Sequence, residues 1–217
     1  MKTLACLVLC ASSLAHADAS VRGVVEVTRP KDVPVGAVLV YLVGFDEKAP
    51  TRPVEVKQAG KRFVPELIAV TAGGSVTFPN GDPFLHNVFS PTNDRTFDLG
   101  SFKQGDARSR TFPKRGVVDI YCNIHPEMSA TLVILPNTHF AFADTSGRFQ
   151  IEHVPAGTWT LFAFSRRAVQ PVSTSVTVGA DGVVEASFKL DEVQREFKHQ
   201  NKYGEKYRPT TVYPPGA

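Results

Sequence analysis

YCNIHPEMSATLVIL, residues 121–135, places Cys122, His125 and Met128 at steps of three and then enters a run with the composition of a strand. Pro126 lies between the second and third of these and rules out one continuous helix through them, because its ring removes an N–H and blocks the preceding turn. Just upstream, VVDIYC (117–122) alternates apolar and polar residues. In an extended strand that puts Val118, Ile120 and Cys122 on one face and Asp119 and Tyr121 on the other. Cys122 therefore points inward at the end of its strand, the loop NIHPEM follows, and SATLVIL carries the chain back into the sheet. One loop can so bring a thiolate, an imidazole and a thioether to one point.

The surrounding sequence has the same strand-and-turn texture. VRGVVEV (21–27) and AVLVYLVG (37–44) read as opening strands around the turn TRPKDVPVG. RFVPELIAV, SVTFPN, LHNVFS, TFDLGSF and RSRTFP follow, with TAGG, GDPF and KRG between. About eight short strands punctuated by turn residues predict an all-β sandwich for residues 18–135. A second unit, 136–190, shows hairpin-like pairs around TSG, PAG and ADG. It is small for an independent core and is expected to pack on the first. From 191 to 217 the chain is charged and then Pro-rich. DEVQREFKHQNKYGEKY allows a short helix, and RPTTVYPPGA reads as a tail laid on the surface or disordered.

The first 17 residues, MKTLACLVLCASSLAHA, have the form of a cleaved secretory leader: Lys2, an apolar run too short to span a bilayer, and Ala15-His16-Ala17 as the cleavage site. Cleavage removes Cys6 and Cys10 and leaves Cys122 alone, so no internal disulfide framework is available. The mature chain is expected in the periplasm, with no membrane span. Its formal charge of +3 falls to +2 without Lys2, too small to favour nucleic acid or a membrane surface. The basic stretches RSRTFPKRG and REFKHQNKYGEKYR read as solvated faces.

His86, 36 residues before Cys122 at the start of LHNVFS, is the candidate for a fourth donor. Alone, each of these residues would be ordinary: a buried thiol, a core methionine, a satisfied imidazole. Together, two imidazoles, one thiolate and a weak thioether suit copper cycling between Cu(I) and Cu(II). Zinc more often gathers four Cys or His donors, and calcium or magnesium would demand oxygen.

YCNIHPEM closely resembles the ligand loop of the blue-copper cupredoxins, particularly the short-loop amicyanin kind, and FLHNVFS resembles the segment carrying their first histidine. The resemblance covers about residues 20–135. It implies a Greek-key sandwich and one type 1 copper ion held by His86, Cys122, His125 and axial Met128. It also implies that Asn87 hydrogen-bonds across to the ligand loop and fixes His86. Pro126 removes an N–H near the thiolate and stiffens the loop. Phe84 and Leu85 suit either an apolar rim where a partner docks or ordinary strand-end packing.

DTSGRFQIEHVPAGTWTLFAF resembles the carboxypeptidase-regulatory-like, or transthyretin-like, β-sandwich module. Such modules serve as spacers, interaction surfaces and sometimes carbohydrate-binding domains; Trp159 fits a core role better than a sugar platform.

The reading that results is a non-enzymatic, exported one-electron carrier serving redox protein partners. The alternative is a periplasmic copper-binding protein for storage, delivery or tolerance. An enzyme is disfavoured: besides His86 and His125 the mature chain retains only His139, His153 and His199, too few for further copper centres. No hydrolase motif appears.

Overall fold

A computed structural model describes residues 19–207. The leader and residues 208–217 of the tail lie outside the described residues. Among the described residues no helix is long and apolar enough to cross a membrane.

The strands in chain order begin with β1 (Ser20–Thr28), β2 (Val38–Val43), β3 (Val54–Glu55), β4 (Lys57–Gln58), β5 (Phe63–Val64) and β6 (Leu67–Thr71). Next come β7 (Ser75–Pro79), β8 (His86–Ser90), β9 (Phe97–Phe102), β10 (Ala107–Thr111), β11 (Gly116–Tyr121) and β12 (Ser129–Leu135). The last are β13 (Phe140–Phe142), β14 (Arg148–Ile151), β15 (Gly157–Ser165), β16 (Val172–Val178) and β17 (Val183–Asp191). The all-β expectation holds. RFVPELIAV, read as one strand, is two, because Pro65 has no N–H to donate to a ladder.

The unit that carries the candidate ligands is a sandwich of a five-stranded sheet, β6-β12-β11-β8-β9, and a three-stranded sheet, β10-β7-β3. Its core lies between them and includes Phe63, Phe78, Phe102, Ile120 and Leu132. The second unit faces β14-β1-β17 against β13-β2-β15-β16, enclosing Val21, Leu42, Leu161 and Leu190.

Here the pairing departs from the grouping of residues 18–135 into one unit. β1 lies between β14 and β17, and runs parallel to β17 from Ser20 opposite Val183 to Thr28 opposite Asp191. β2 lies between β13 and β15. Both opening strands thus complete the second unit, whose 55 residues after Pro136 could not otherwise close a two-sheet core. Gly23 marks how close the strands come, since a Cβ there would sit 1.6 Å from the Ala186 carbonyl oxygen.

The two units share a wall. β12 is buried at every position. Leu132 and Ile134 face the core of the ligand-carrying unit, while Val133 and Leu135 meet Leu39, Leu67 and Ala69 in a third cluster between the units. A strand covered on both faces reads as a continuous apolar run, which is what LVIL is. Arg166, just after β15, reaches across the same junction. Its guanidinium donates to Thr131 Oγ1, Ser129 Oγ and the Glu66 carboxylate.

No helix forms after Asp191 among the described residues. The segment carries only Val193 and Phe197 as large apolar side chains before Tyr203, too narrow a stripe to dock a helix. Phe197 instead lies under the Arg166 guanidinium, 3.9 Å from ring centroid to cation.

Candidate metal centre

His86 opens β8 and Cys122 follows the last residue of β11, so two strands of one sheet deliver them to the same end of the sandwich. Strand alternation aims Cys122 inward as expected; Val118, Ile120 and Cys122 are fully buried. The spacing of three has a local cause. Pro126 and Glu127 occupy the middle of a tight turn in which the Met128 N–H donates to the His125 carbonyl at 3.0 Å, and proline's fixed φ suits the first central position. The Cys122 N–H then donates to the Met128 carbonyl at 3.3 Å. The loop is thereby folded back on itself, with Met128 buried in the same core cluster as Cys122.

Three donor atoms converge. His86 Nδ1 and His125 Nδ1 are 3.1 Å apart, and each is 3.8 Å from Cys122 Sγ. This is the one such group of His, Cys, Asp or Glu side chains among the described residues. The Ile124 N–H points at the same sulfur from 3.5 Å.

His86 is fixed from behind by Asp82, a residue that the sequence reading passed over as part of a turn. The Asp82 carboxylate lies 2.8 Å from His86 Nε2 and also accepts from the Gly60 and Lys61 N–H groups. Burial pushes its carboxyl up, but these hydrogen bonds from Lys61, His86 and Gly60 outweigh that and hold it below its ordinary value. An ionised carboxylate only accepts, so His86 donates to it through Nε2, and the ring is turned with Nδ1 toward Cys122 and His125. His125 is held below its ordinary imidazole value, first by burial and then by His86, which disfavours its charged form.

Asn87 sits where β8 slips register against β9. Its amide donates to Asp98 Oδ1 and the Gly100 carbonyl, while its Oδ1 accepts the Asn123 N–H at 3.3 Å. Asn87 therefore bridges β9 to the ligand loop. Phe84 places its ring 5.3 Å from both His86 and His125, and with Leu85 and Ile124 forms a partly exposed apolar rim. His139 stands apart, paired with Glu47.

The sequence reading missed a further layer as well. His199 stacks on Tyr121 with centroids 4.1 Å apart, and the Tyr207 hydroxyl donates to the Cys122 carbonyl at 2.7 Å. Distant tail residues without metal-ligand spacing give no signal for this in sequence.

The donor set fits copper. Two imidazole nitrogens and a thiol sulfur face one point, and a buried thioether lies on the same loop.

No family model matches the chain. Amicyanin-alpha of Methylorubrum extorquens is 28% identical over 91 residues, 41% of this chain and 76% of that protein. Among solved structures, amicyanin from Paracoccus versutus aligns with 44% of this chain and 96% of its own, at 22% identity and a TM-score of 0.37. A purple cupredoxin from Nitrosopumilus maritimus aligns with 37% of this chain and 98% of its own, at 20% identity and a TM-score of 0.35. About two-fifths of the chain is thus similar in sequence to amicyanin-alpha, and its cluster of His86, Cys122, His125 and Met128 resembles a type 1 copper site.

Proposed function

We propose that the chain is a non-enzymatic, exported one-electron carrier built around one type 1 copper ion. His86 and His125 would hold it through Nδ1, Cys122 as thiolate, and Met128 through its thioether sulfur. The observation that carries this reading is the convergence of the two imidazole nitrogens on Cys122 Sγ, with His86 Nε2 held by the Asp82 carboxylate. Copper bound there would supply a reversible Cu(I)/Cu(II) couple.

The protein's own part is to hold the donors in one arrangement for both oxidation states. Asp82 orients His86, and Asn87 ties the ligand loop to β9. The turn at Pro126 sets the distance between His125 and Met128. Bonds of this kind reduce rearrangement when an electron moves. Half-buried His125 and the rim of Phe84, Leu85 and Ile124 give redox protein partners in the periplasm an apolar face to meet.

The second unit is read as a carboxypeptidase-regulatory-like spacer. Trp159 supports a packing role for its aromatic residue. The ring is held between Gly44 and Gly157, where a Cβ would come within 2.9 and 2.3 Å, and its N–H donates to the Pro155 carbonyl.

Loading the mature protein with Cu(II) and recording its visible spectrum and voltammogram tests the reading. The expected result is an intense thiolate-to-copper band and a reversible one-electron wave, lost in Cys122→Ser and retained in His139→Ala. A colourless protein that takes up only Cu(I) would replace the carrier with copper storage, delivery or tolerance.

A further inference from the structure

The segment after β17 does not leave the molecule. It runs back over the outer face of β8 and β11 and reaches the copper loop. Arg195 donates to the Arg166 carbonyl and Phe197 packs on the Arg166 guanidinium, so the segment is anchored at the junction of the units. Beyond that anchor it touches three consecutive residues of the metal centre. His199 stacks on Tyr121, the Tyr207 hydroxyl donates to the Cys122 carbonyl, and the Lys202 N–H donates to Asn123 Oδ1 at 2.8 Å. The Lys202 ammonium also pairs with Asp98 at 2.7 Å, and Asp98 is the carboxylate that orients Asn87. A compact turn sustains this grip: Asn201 Oδ1 accepts the Tyr203 and Glu205 N–H groups.

We propose that residues 195–207 are a strap whose Tyr207 and Lys202 position Cys122, making this segment a working part of the metal centre. A surface tail needs no bond to the backbone of a buried cysteine. Here the carbonyl of the ligand residue itself is capped, and Asn123, the next residue, is gripped from one side by Lys202 and from the other by Asn87. Tyr121 and Asn123 flank Cys122, so fixing both fixes the direction of its Cα–Cβ bond. The face that the strap covers also explains Phe89. This ring points away from the metal-binding core, yet is buried because His199 and Tyr121 each stand about 6 Å from it.

This inference rests on the copper reading for its purpose, but the clamp on Cys122 is measurable without metal. The test uses the full mature chain carrying Tyr207→Phe, which keeps the ring and removes only the hydroxyl, and Lys202→Ala. Lys206→Ala, on an exposed strap residue, serves as control.

In the metal-free protein, the rate at which a thiol reagent labels Cys122 is expected to rise about three- to tenfold in Tyr207→Phe, the factor that losing one hydrogen bond allows, and to stay unchanged in Lys206→Ala. In the copper-loaded protein, release of Cu(I) to excess chelator should accelerate by a similar factor, and the thiolate-to-copper band should shift. Tyr207→Phe and Lys202→Ala proteins that fold yet match the wild type in labelling, release and band position would overturn the strap. Faster labelling in a protein that never develops the band would keep the clamp and remove copper.

Discussion

Asp82 decides which nitrogen of His86 faces the metal site. With Nε2 donating to a carboxylate, Nδ1 is the nitrogen left to face the site; without that bond the ring can rotate or exchange tautomers. The Gly60 and Lys61 N–H groups hold Asp82 in turn, so the orientation is inherited from a loop more than twenty residues upstream of the ligand. Asp82→Ala is expected to weaken copper binding about 10–100-fold, as loss of a histidine-orienting carboxylate does in other metal sites. Competition with a chelator of known affinity would measure it, and an unchanged affinity would count against the tautomer argument. The thiolate band should survive in fully loaded protein, because Cys122 is untouched. The four candidate ligands were legible in sequence because thiolate, thioether and imidazole are chemically distinctive and three share one loop. Asp82 was not, since an acid between Gly81 and Pro83 has the signature of an ordinary turn.

At the scale of one element, β12 joins two cores. Leu132 and Ile134 belong to the metal-binding unit, Val133 and Leu135 to the cluster against Leu39 and Leu67. The same strand follows the ligand loop, pairing Ser129 with Tyr121 and Ala130 with Ile120, so the fixed wall and the metal loop are continuous. Leu135 is 1% exposed. Leu135→Ala is expected to cost about 2–5 kcal/mol, the range for a buried leucine truncated with incomplete collapse around it. Denaturant unfolding of the metal-free protein would read this as a lower midpoint with an unchanged slope. The apolar run marked β12 as a strand returning to the sheet, but its burial on both faces came only with the structure, because a strand of period two cannot say in sequence what covers each face. Alternation read Cys122 correctly because VVDIYC has one apolar and one polar face.

Across the whole molecule, the chain begins in the second unit, crosses to build the first, and returns. β1 and β17 pair in parallel although Arg22 and Glu185 are 163 residues apart. Local patterning marked both as strands and could not join them, because parallel partners share no turn. The crossing is reinforced by Glu47, which follows β2. Its carboxylate accepts from the Thr138 N–H and hydroxyl and faces His139 Nε2 at 3.0 Å, so it binds the two linkers between units to each other. Burial raises the Glu47 carboxyl, but the Thr138 hydrogen bonds and then His139 prevail and leave it lowered. The unfolded chain, with an ordinary glutamate near 4.3, then binds protons more readily than the folded one as the medium turns acidic. The contribution of Glu47 is therefore present above about pH 4.3 and lost as pH falls through its depressed folded value. Trp159 is the single tryptophan and sits in the second unit, so its fluorescence reports this directly. Thermal unfolding of the metal-free protein should show a midpoint that drops between pH 6 and 3, and the drop should be shallower in Glu47→Gln, which keeps an acceptor for Thr138 but cannot titrate. Equal pH dependence in the two proteins would mean that the linkers are held by apolar packing at Leu39, Leu67 and Leu135 without help from this charge.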